Sequence, residues 1–226
     1  MVSVDVIIGA GVRDDAHRKR ARQWVISRYR AHGYSVTVGT CRGKWRKAAA
    51  VNPAADASTA DVLVIADADC LVDADGIRRA IGHAQRDGYA VPAKAVRRLT
   101  PDATAGVLDG DPAADLDPRL PTESRHQLLA GGGIVVIRKD VWDAVGGFDP
   151  RFVGWGGEDY ALGCALYSAT RQFPQYGAGL LWHLWHPPQT RDQRLTPDNE
   201  HLANRYRQAK HDPIAMQQLH AEAREV

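Results

Sequence analysis

Two carboxylates end a continuous apolar stretch, and their spacing suggests a cation site. Val62–Ala66 has the length and composition of a fully buried strand, and Asp67 and Asp69 follow it with one small residue between them. Side chains at i and i+2 of extended chain project to the same side, so these like charges need a cation beside them. Ligands of open α/β sheets bind beyond the carboxyl ends of such strands. The pair predicts a hard divalent metal that carries a phosphate group, with a plain polar loop as the alternative.

A second acidic pair, Glu158 and Asp159, stands at the start of a predicted helix. The preceding residues include three glycines and Trp155. Because a helix N-terminus favours negative charge, we expect Glu158 or Asp159 to be ionised at neutral pH. Capping alone explains most such pairs, but the glycines cost more conformational freedom than a cap requires. The segment therefore indicates a site.

The histidines His183 and His186 lie with two tryptophans at the end of a predicted strand. They lack the glutamate of the His-Glu-x-x-His pattern and do not lie on a predicted helix, so they do not match zinc proteases. A structural role in the core is the simpler explanation for a single histidine. In a chain whose aspartates already require a cation, we expect both imidazoles to be metal ligands.

A short basic helix is predicted over residues 44–52. Its Trp45 can stack on a nucleobase and its Lys47 can bind phosphate, so we expect a nucleotide clamp, with a solvated amphipathic turn as the alternative. Pro53 disfavours helical conformation at Asn52, and we expect the helix to end there.

Glycines mark two further places where the backbone could approach a ligand. The turn at Gly9 and Gly11 precedes Arg13, but Asp14 occupies the position of the third glycine of a dinucleotide-binding fingerprint, which excludes that motif. A glycine-rich loop with an arginine, as in nucleotidyltransferases, is the other possibility. Gly132 lies where a predicted strand is entered through glycines, a position typical of close backbone approach.

The elements that must position these residues alternate as a parallel sheet requires. Val2–Ile8 and Tyr34–Val38 are predicted strands, and they flank a helix that Gly33 ends. Alternation of strands and helices continues to about residue 96, which predicts an α/β fold with a mostly parallel sheet flanked by helices. The apolar stripe of the first helix consists of Ala21, Trp24, Val25 and Tyr29.

Two segments interrupt or follow this alternation. Residues 100–127 are rich in Asp, Pro, Gly and Ala without periodicity, and we expect a mobile loop beside the site. Residues 196–225 have a helical pattern broken at Pro213, and we expect this tail to pack over the sheet or to mediate association.

Bulk composition bounds the class of protein. The length of 226 residues fits one globular domain. The net charge of only +2 does not indicate a strongly basic surface for binding nucleic acid. No run of about 18 apolar residues occurs, so we expect no membrane span. The three cysteines lack metal spacing and fit free thiols, so we expect a soluble, cytoplasmic protein. The Ala-, Arg- and Asp-rich composition suggests a high-GC bacterial or phage source, which would place the protein in a bacterial or phage-infected cytoplasm.

Two segments and the order of elements carry a family resemblance. The stretch from Gly131 to Leu166, with the sequences GGGIVVIR, VGGFD and GWGGED, resembles the catalytic segment shared by β-1,4-galactosyltransferases and polypeptide N-acetylgalactosaminyltransferases. The Asp67-Ala68-Asp69 strand end looks like the DxD of GT-A glycosyltransferases, and the order of elements is similar to family-2 enzymes. The resemblance implies a single GT-A domain. Its parts would be a nucleotide-sugar half (1–99), a flexible loop (100–127), an acceptor half (128–195) and a helical tail (196–226).

The resemblance also implies roles for residues. The donor would be a nucleotide sugar, most often a UDP-sugar, with Mn²⁺ or Mg²⁺ on its diphosphate. Asp159 would be the catalytic base beside Glu158, and Asp67 would lie near the ribose or a metal-bound water. The metal ligands would be Asp69, His186 and His183; the donor contacts Asp67, Trp45, Lys47, Arg13, Gly132 and Trp155; and the acceptor contacts Trp155, Glu158 and Tyr160.

These implications together predict an inverting, metal-dependent glycosyltransferase that moves a sugar to an acceptor hydroxyl. The alternatives are a retaining enzyme of the N-acetylgalactosaminyl type, a nucleotidyltransferase, and a non-catalytic nucleotide- or glycan-binding module. The acceptor could be a glycan, a protein, a lipid-linked sugar or a nucleic acid. The acidic run of the galactosyltransferases stops here at Tyr160, which leaves sugar and acceptor open.

Overall fold

The computed structural model describes residues 2–12, 14–127, 132–187 and 195–226, and an eight-stranded mixed sheet lies at its centre. The strands are β1 (Val4–Gly11), β2 (Ser35–Cys41), β3 (Val62–Ala66), β4 (Cys70–Leu71), β5 (Tyr89–Leu99), β6 (Thr122–Gln127), β7 (Ile134–Arg138) and β8 (Gln175–His183). The helices are α1 (Ala16–Ala31), α2 (Lys47–Ala57), α3 (Ala74–Asp87), α4 (Pro101–Asp109), α5 (Lys139–Val145), α6 (Glu158–Thr170), α7 (Pro197–Ala209) and α8 (Pro213–Arg224).

The strand order is β2-β1-β3-β7-β5-β8-β4, with β6 paired to β5. Strands β1, β2, β3, β5 and β8 run in one direction, whereas β4, β6 and β7 run in the other. The carboxyl ends of β3, β5 and β8 therefore meet at one edge of the sheet, together with the start of β7. The predicted α/β fold with a mostly parallel sheet is confirmed.

The sheet is buried on both faces. Val62 and Val64 of β3 pack into one apolar cluster, and Leu63 and Ile65 pack into a second cluster on the opposite face. Every residue of Val62–Ala66 is at most 2% exposed. Such burial explains why β3 reads as a continuous apolar run rather than an alternating one.

Helix α1 has the predicted apolar stripe, because Ala21, Trp24, Val25 and Tyr29 are all buried. Helix α2, by contrast, continues through Pro53 to Ala57, so the predicted end at Asn52 is wrong. The Asn52 side chain makes two hydrogen bonds with the backbone of Phe148, at 2.8 and 3.0 Å. These tertiary bonds hold Asn52 in the helix against the local preference of the residue before a proline.

The prediction of a loop over all of residues 100–127 is also wrong, because a helix and a strand form within them. Thr100 caps α4 by accepting a hydrogen bond from Ala103 N at 3.2 Å, and Pro101 occupies the first turn. Residues 122–127 form β6, which extends the sheet beyond β5. The biased composition suggested a loop, but the segment contains a helix that begins at a proline and a strand that pairs with β5. Tertiary contacts stabilise both elements.

The C-terminal tail forms α7 and α8, broken at Pro213 as predicted. Both helices pack against α6 and extend the second apolar cluster, to which they contribute Leu202, Tyr206, Met216 and Leu219. Among the described residues, no helix combines the length and apolar character needed to cross a bilayer.

Candidate active site

The residues singled out in the sequence gather at the sheet edge where β3, β5 and β8 end. Asp67 and Asp69 follow β3, and His183 and His186 lie at and after the end of β8. Gly132 is buried at the entrance to β7, where its neighbour Gly133 accepts a hydrogen bond from Asp67 N at 2.7 Å. The topology thus brings segments more than a hundred residues apart to one place.

Lys47 joins the two acidic segments. Its Nζ donates to Asp67 Oδ1 at 2.8 Å and to Asp159 Oδ1 at 2.7 Å, and it lies 5.0 Å from the centre of the Phe148 ring. The residue is only 8% exposed. Burial alone would lower the pKa of Lys47, but Asp159, Asp67 and Glu158 raise it well above its ordinary value. The side chain is therefore a buried ammonium that bridges both halves of the site.

Close packing of α2 on the sheet sets the position of Lys47. A Cβ atom at Gly39 would lie 1.7 Å from the carbonyl oxygen of Ala50, so β2 needs a glycine beneath the helix. Lys47 is the first residue of α2, and the preceding Trp45 packs partly buried on the second apolar cluster. The backbone oxygen of Trp45 also accepts a hydrogen bond from Gly154 N at 2.8 Å.

Glu158 and Asp159 begin α6, as predicted. The expected ionisation at neutral pH needs correction. Burial raises the pKa of Asp159 to about 7, although Lys47 opposes the rise. Burial likewise raises the pKa of Glu158, which is 7% exposed. The desolvation of both carboxyl groups outweighs the helix N-terminus and the nearby ammonium, and only the folded chain reveals that desolvation.

The loop before α6 depends on glycine and on Asn199, which the sequence did not single out. Gly156 and Gly157 have φ values of 100° and 93°, a left-handed conformation that side chains disfavour. Asn199 of α7 is 2% exposed, and its Nδ2 donates to the carbonyls of Gly156 at 3.0 Å and Val153 at 3.3 Å. Its only sequence signal is a place in the first turn of α7, so the positioning role was not predictable.

Asp69 and the two histidines converge as expected. Nε2 of His183 lies 3.8 Å from Asp69 Oδ1, and Nε2 of His186 lies 3.5 Å from Asp69 Oδ2. The pairing of β4 with β8 and a hydrogen bond from Leu184 N to Asp69 O at 2.8 Å fix the two loops together. These contacts hold Asp69 and the histidine segment next to each other.

The donor set fits a divalent cation. The Nδ1 atoms of His183 and His186 lie 2.8 Å from the carbonyl oxygens of Leu184 and Pro187, and we assign Nδ1–H donors there. The unprotonated Nε2 lone pairs then face a carboxylate, an arrangement that a cation would stabilise. Burial lowers the pKa of His186, which keeps that imidazole available as a ligand. Burial opposes ionisation of Asp69, but His183, His186 and two arginines outweigh it and lower the Asp69 pKa.

The two arginines, Arg18 of α1 and Arg98 of β5, were not predicted. Their charges contribute to the lowered pKa of Asp69, and an Arg18 guanidinium nitrogen lies 3.3 Å from His186 Nδ1. Neither arginine belongs to a recognisable motif. Their proximity follows from the topology, which directs the N-terminus of α1 and the end of β5 toward the same edge of the sheet.

The other predicted residues have different outcomes. Trp155 lies in the loop before α6 and is 54% exposed. Burial raises the Tyr160 pKa, and the neighbouring Cys164 adds to the rise. Tyr160 also packs beside the second apolar cluster. Arg13 lies outside the described residues.

Two family models match the chain. Residues 12–114 match glycosyl transferase family 2, and residues 119–173 match a model described as the N-terminal domain of galactosyltransferase. A comparison with curated proteins gave no match.

Solved structures of glycosyltransferases share the fold. The catalytic domain of Drosophila β1,4-galactosyltransferase 7 with xylobiose has a TM-score of 0.51 at 15% identity, with 88% of this chain and 79% of that chain covered. A mutant of the Drosophila enzyme with manganese, UDP-Gal and xylobiose has a TM-score of 0.51 at 13% identity, with coverage of 90% and 79%. GalNAc-T7 with UDP, GalNAc and Mn²⁺ has a TM-score of 0.56 at 14% identity, covering 99% of this chain and 55% of that chain.

The two family matches and the shared fold both relate this chain to glycosyltransferases. The candidate site lies at the carboxyl ends of the strands, where ligands of such sheets bind. The chain thus has the GT-A fold of these glycosyltransferases, and successive parts of its sequence match two glycosyltransferase family models.

Proposed function

We propose that the chain is a metal-dependent, inverting glycosyltransferase that moves a sugar from a UDP-sugar to a hydroxyl group of a glycan. The observation that carries the proposal is the Lys47 bridge, because Asp67 of the DxD segment and Asp159 bond to the same ammonium. This bridge brings a carboxyl group with a pKa of about 7 beside the donor segment. Such a pKa suits a general base near neutral pH.

On the donor side, Asp69, His183 and His186 would hold Mn²⁺. Carboxylate and imidazole together suit Mn²⁺ better than Mg²⁺. The similar structures that contain manganese or Mn²⁺ with UDP-Gal or UDP support this choice of metal and donor. When bound, the ion supplies Lewis-acid stabilisation of charge on the diphosphate. Asp67, Trp45, Lys47, Arg13, Gly132 and Trp155 are proposed to contact the donor.

On the acceptor side, Asp159 would take the proton of the acceptor hydroxyl as its oxygen bonds to the anomeric carbon and the bond to the diphosphate breaks. Lys47 must then release Asp159, and the diphosphate offers the ammonium a replacement anion. Trp155, Glu158 and Tyr160 are proposed to contact the acceptor.

The first experiment measures transfer or hydrolysis of UDP-sugars with Mn²⁺ and determines the anomeric configuration of the product. Asp159→Asn should reduce kcat by about 10²–10⁴-fold while UDP affinity changes little. Asp143→Asn, on the surface of α5, is the matched control and should keep wild-type turnover. Near-wild-type turnover in Asp159→Asn would exclude Asp159 as the catalytic base. A product with the same anomeric configuration as the donor would exclude the inverting mechanism.

A second experiment isolates the metal. Calorimetry should show UDP binding that Mn²⁺ strengthens, and Asp69→Ala should remove that enhancement. If the Mn²⁺-dependent gain persists in Asp69→Ala, the assignment of the metal to this cluster is wrong.

A further inference from the structure

A cysteine completes the cluster around Asp69. Cys70 is 2% exposed, and its Sγ lies 3.7 Å from Asp69 Oδ1. In the antiparallel pairing of β4 with β8, Cys70 stands directly opposite His183, so the two side chains share one face of the sheet. Ligand atoms of Asp69, Cys70 and His183 all lie within 4.8 Å of one another.

These separations are close to those between the ligands of a tetrahedral ion. Bonds of about 2.0–2.3 Å place neighbouring ligand atoms about 3.3–3.8 Å apart. Asp69 Oδ1 lies 3.7 Å from the sulfur of Cys70 and 3.8 Å from His183 Nε2, whereas His186 Nε2 lies 3.5 Å from the other oxygen, Asp69 Oδ2. An oxygen of Asp69, the sulfur of Cys70 and Nε2 of His183 therefore surround a position that an ion can reach with small side-chain shifts.

We propose that Cys70 Sγ ligates thiophilic ions in this cluster, so that Zn²⁺ or Co²⁺ binds through Asp69, Cys70 and His183. The thiol gives its proton to solvent as the metal–sulfur bond forms, without change of oxidation state. Soft thiolate favours Zn²⁺, whereas Mg²⁺ prefers oxygen and would not recruit the sulfur.

The inference rests on the proposed function, because it uses the same cation position. An ion held by Asp69, Cys70 and His183 would occupy Asp69 and His183, the same ligands that Mn²⁺ is proposed to use. Zinc should therefore compete with Mn²⁺ and inhibit sugar transfer.

Spectroscopy of the whole chain tests the sulfur directly. Titration with CoCl₂ should produce a near-ultraviolet sulfur-to-cobalt charge-transfer band, which Cys70→Ser should lose. The matched control is Cys41→Ser, another buried cysteine whose Sγ contacts carbonyl oxygens, and it should keep the band. Calorimetry should show that Cys70→Ser weakens Zn²⁺ binding by at least about 10-fold.

Wild-type protein loaded with Zn²⁺ provides a measurement that does not depend on the folding of any variant. X-ray absorption should detect a sulfur neighbour at about 2.3 Å from zinc. Only oxygen and nitrogen neighbours, or a cobalt band that survives Cys70→Ser, would overturn the role of Cys70. If Mn²⁺-dependent transfer is intact in that case, the proposed function stands. If calorimetry detects no binding of any of these ions, with or without UDP, both proposals fail.

Discussion

Lys47→Met is the substitution that most directly tests the junction between the two acidic segments. Methionine keeps most of the side-chain volume but removes the charge that bonds to Asp67 and Asp159. The carboxylates then face each other, with Glu158 nearby, without a cation. We expect loss of both stability and transfer.

The size of the stability loss follows from the exposure of the three groups. Removing one partner of a buried ion pair costs about 3–5 kcal/mol. The Lys47 side chain is 9% exposed, but those of Asp67 and Asp159 are 36% and 29% exposed, so water reaches the remaining carboxylates. We therefore expect Lys47→Met to lower the free energy of unfolding by about 2–3 kcal/mol. For a chain of this size, that loss corresponds to a fall of about 5–10 °C in Tm. Lys139→Met, which removes a surface i,i+4 pair with Asp143, should cost less than about 0.5 kcal/mol.

The pH dependence separates charge from packing. In the wild type, the pKa of Asp159 is raised from 3.8 to about 7, so the contribution of this group to stability is complete below its unfolded pKa and is lost as pH rises through about 7. Without Lys47 that pKa should rise further. Urea unfolding should then show a larger penalty for Lys47→Met at about pH 8 than at about pH 5.5. An equal penalty at both pH values, or one as small as that of Lys139→Met, would refute the electrostatic argument.

Three further predictions follow from the site. Because Asp159 must be ionised to accept a proton, kcat/KM should fall as pH drops below about 7, and a profile of kcat/KM without an acidic limb near 7 would contradict this. Gly39→Ala should destabilise the chain by about 1–3 kcal/mol or more in urea unfolding, because its Cβ meets the Ala50 carbonyl, whereas Gly106→Ala in open space on α4 should stabilise it by about 0.5–1 kcal/mol. Asn199→Ala should cost about 1–3 kcal/mol and lower kcat/KM, and unchanged kinetics would show that the loop before α6 does not need this anchor.

Local sequence patterns predicted the elements whose burial follows a regular pattern along the chain. The continuous apolar run of β3 and the stripe of α1 were sufficient, because both are determined by contacts that repeat along one element. Pro53 and residues 100–127 were mispredicted for a common reason. Asn52 is held by Phe148 across the fold, and β6 exists only because β5 offers it an edge. Neither partner is visible from the neighbouring sequence.

In the site, too, the local sequence indicates which residues are candidates, whereas tertiary contacts determine their properties. Residue type and spacing singled out Asp69, His183 and Asp159 as candidates, and the fold brings all three to one edge of the sheet. Their electrostatics were not predictable, because the pKa of Asp159 depends on how deeply α6 is buried. The approach of Arg18 and Arg98 to Asp69 likewise depends on strand order rather than on any motif.

The position of β7 has a consequence for how the chain can be divided. The two family matches occupy residues 12–114 and 119–173 and look like separable units along the sequence. In the sheet, however, β7 from the second match lies between β3 and β5 from the first. A cut between the matches would leave the first fragment with a gap in its sheet and would separate β6, β7 and β8 of the second fragment from their partners β3, β4 and β5. We expect neither piece to fold as an independent module, so exchange of segments between related chains must preserve the pairing of β7 with both β3 and β5.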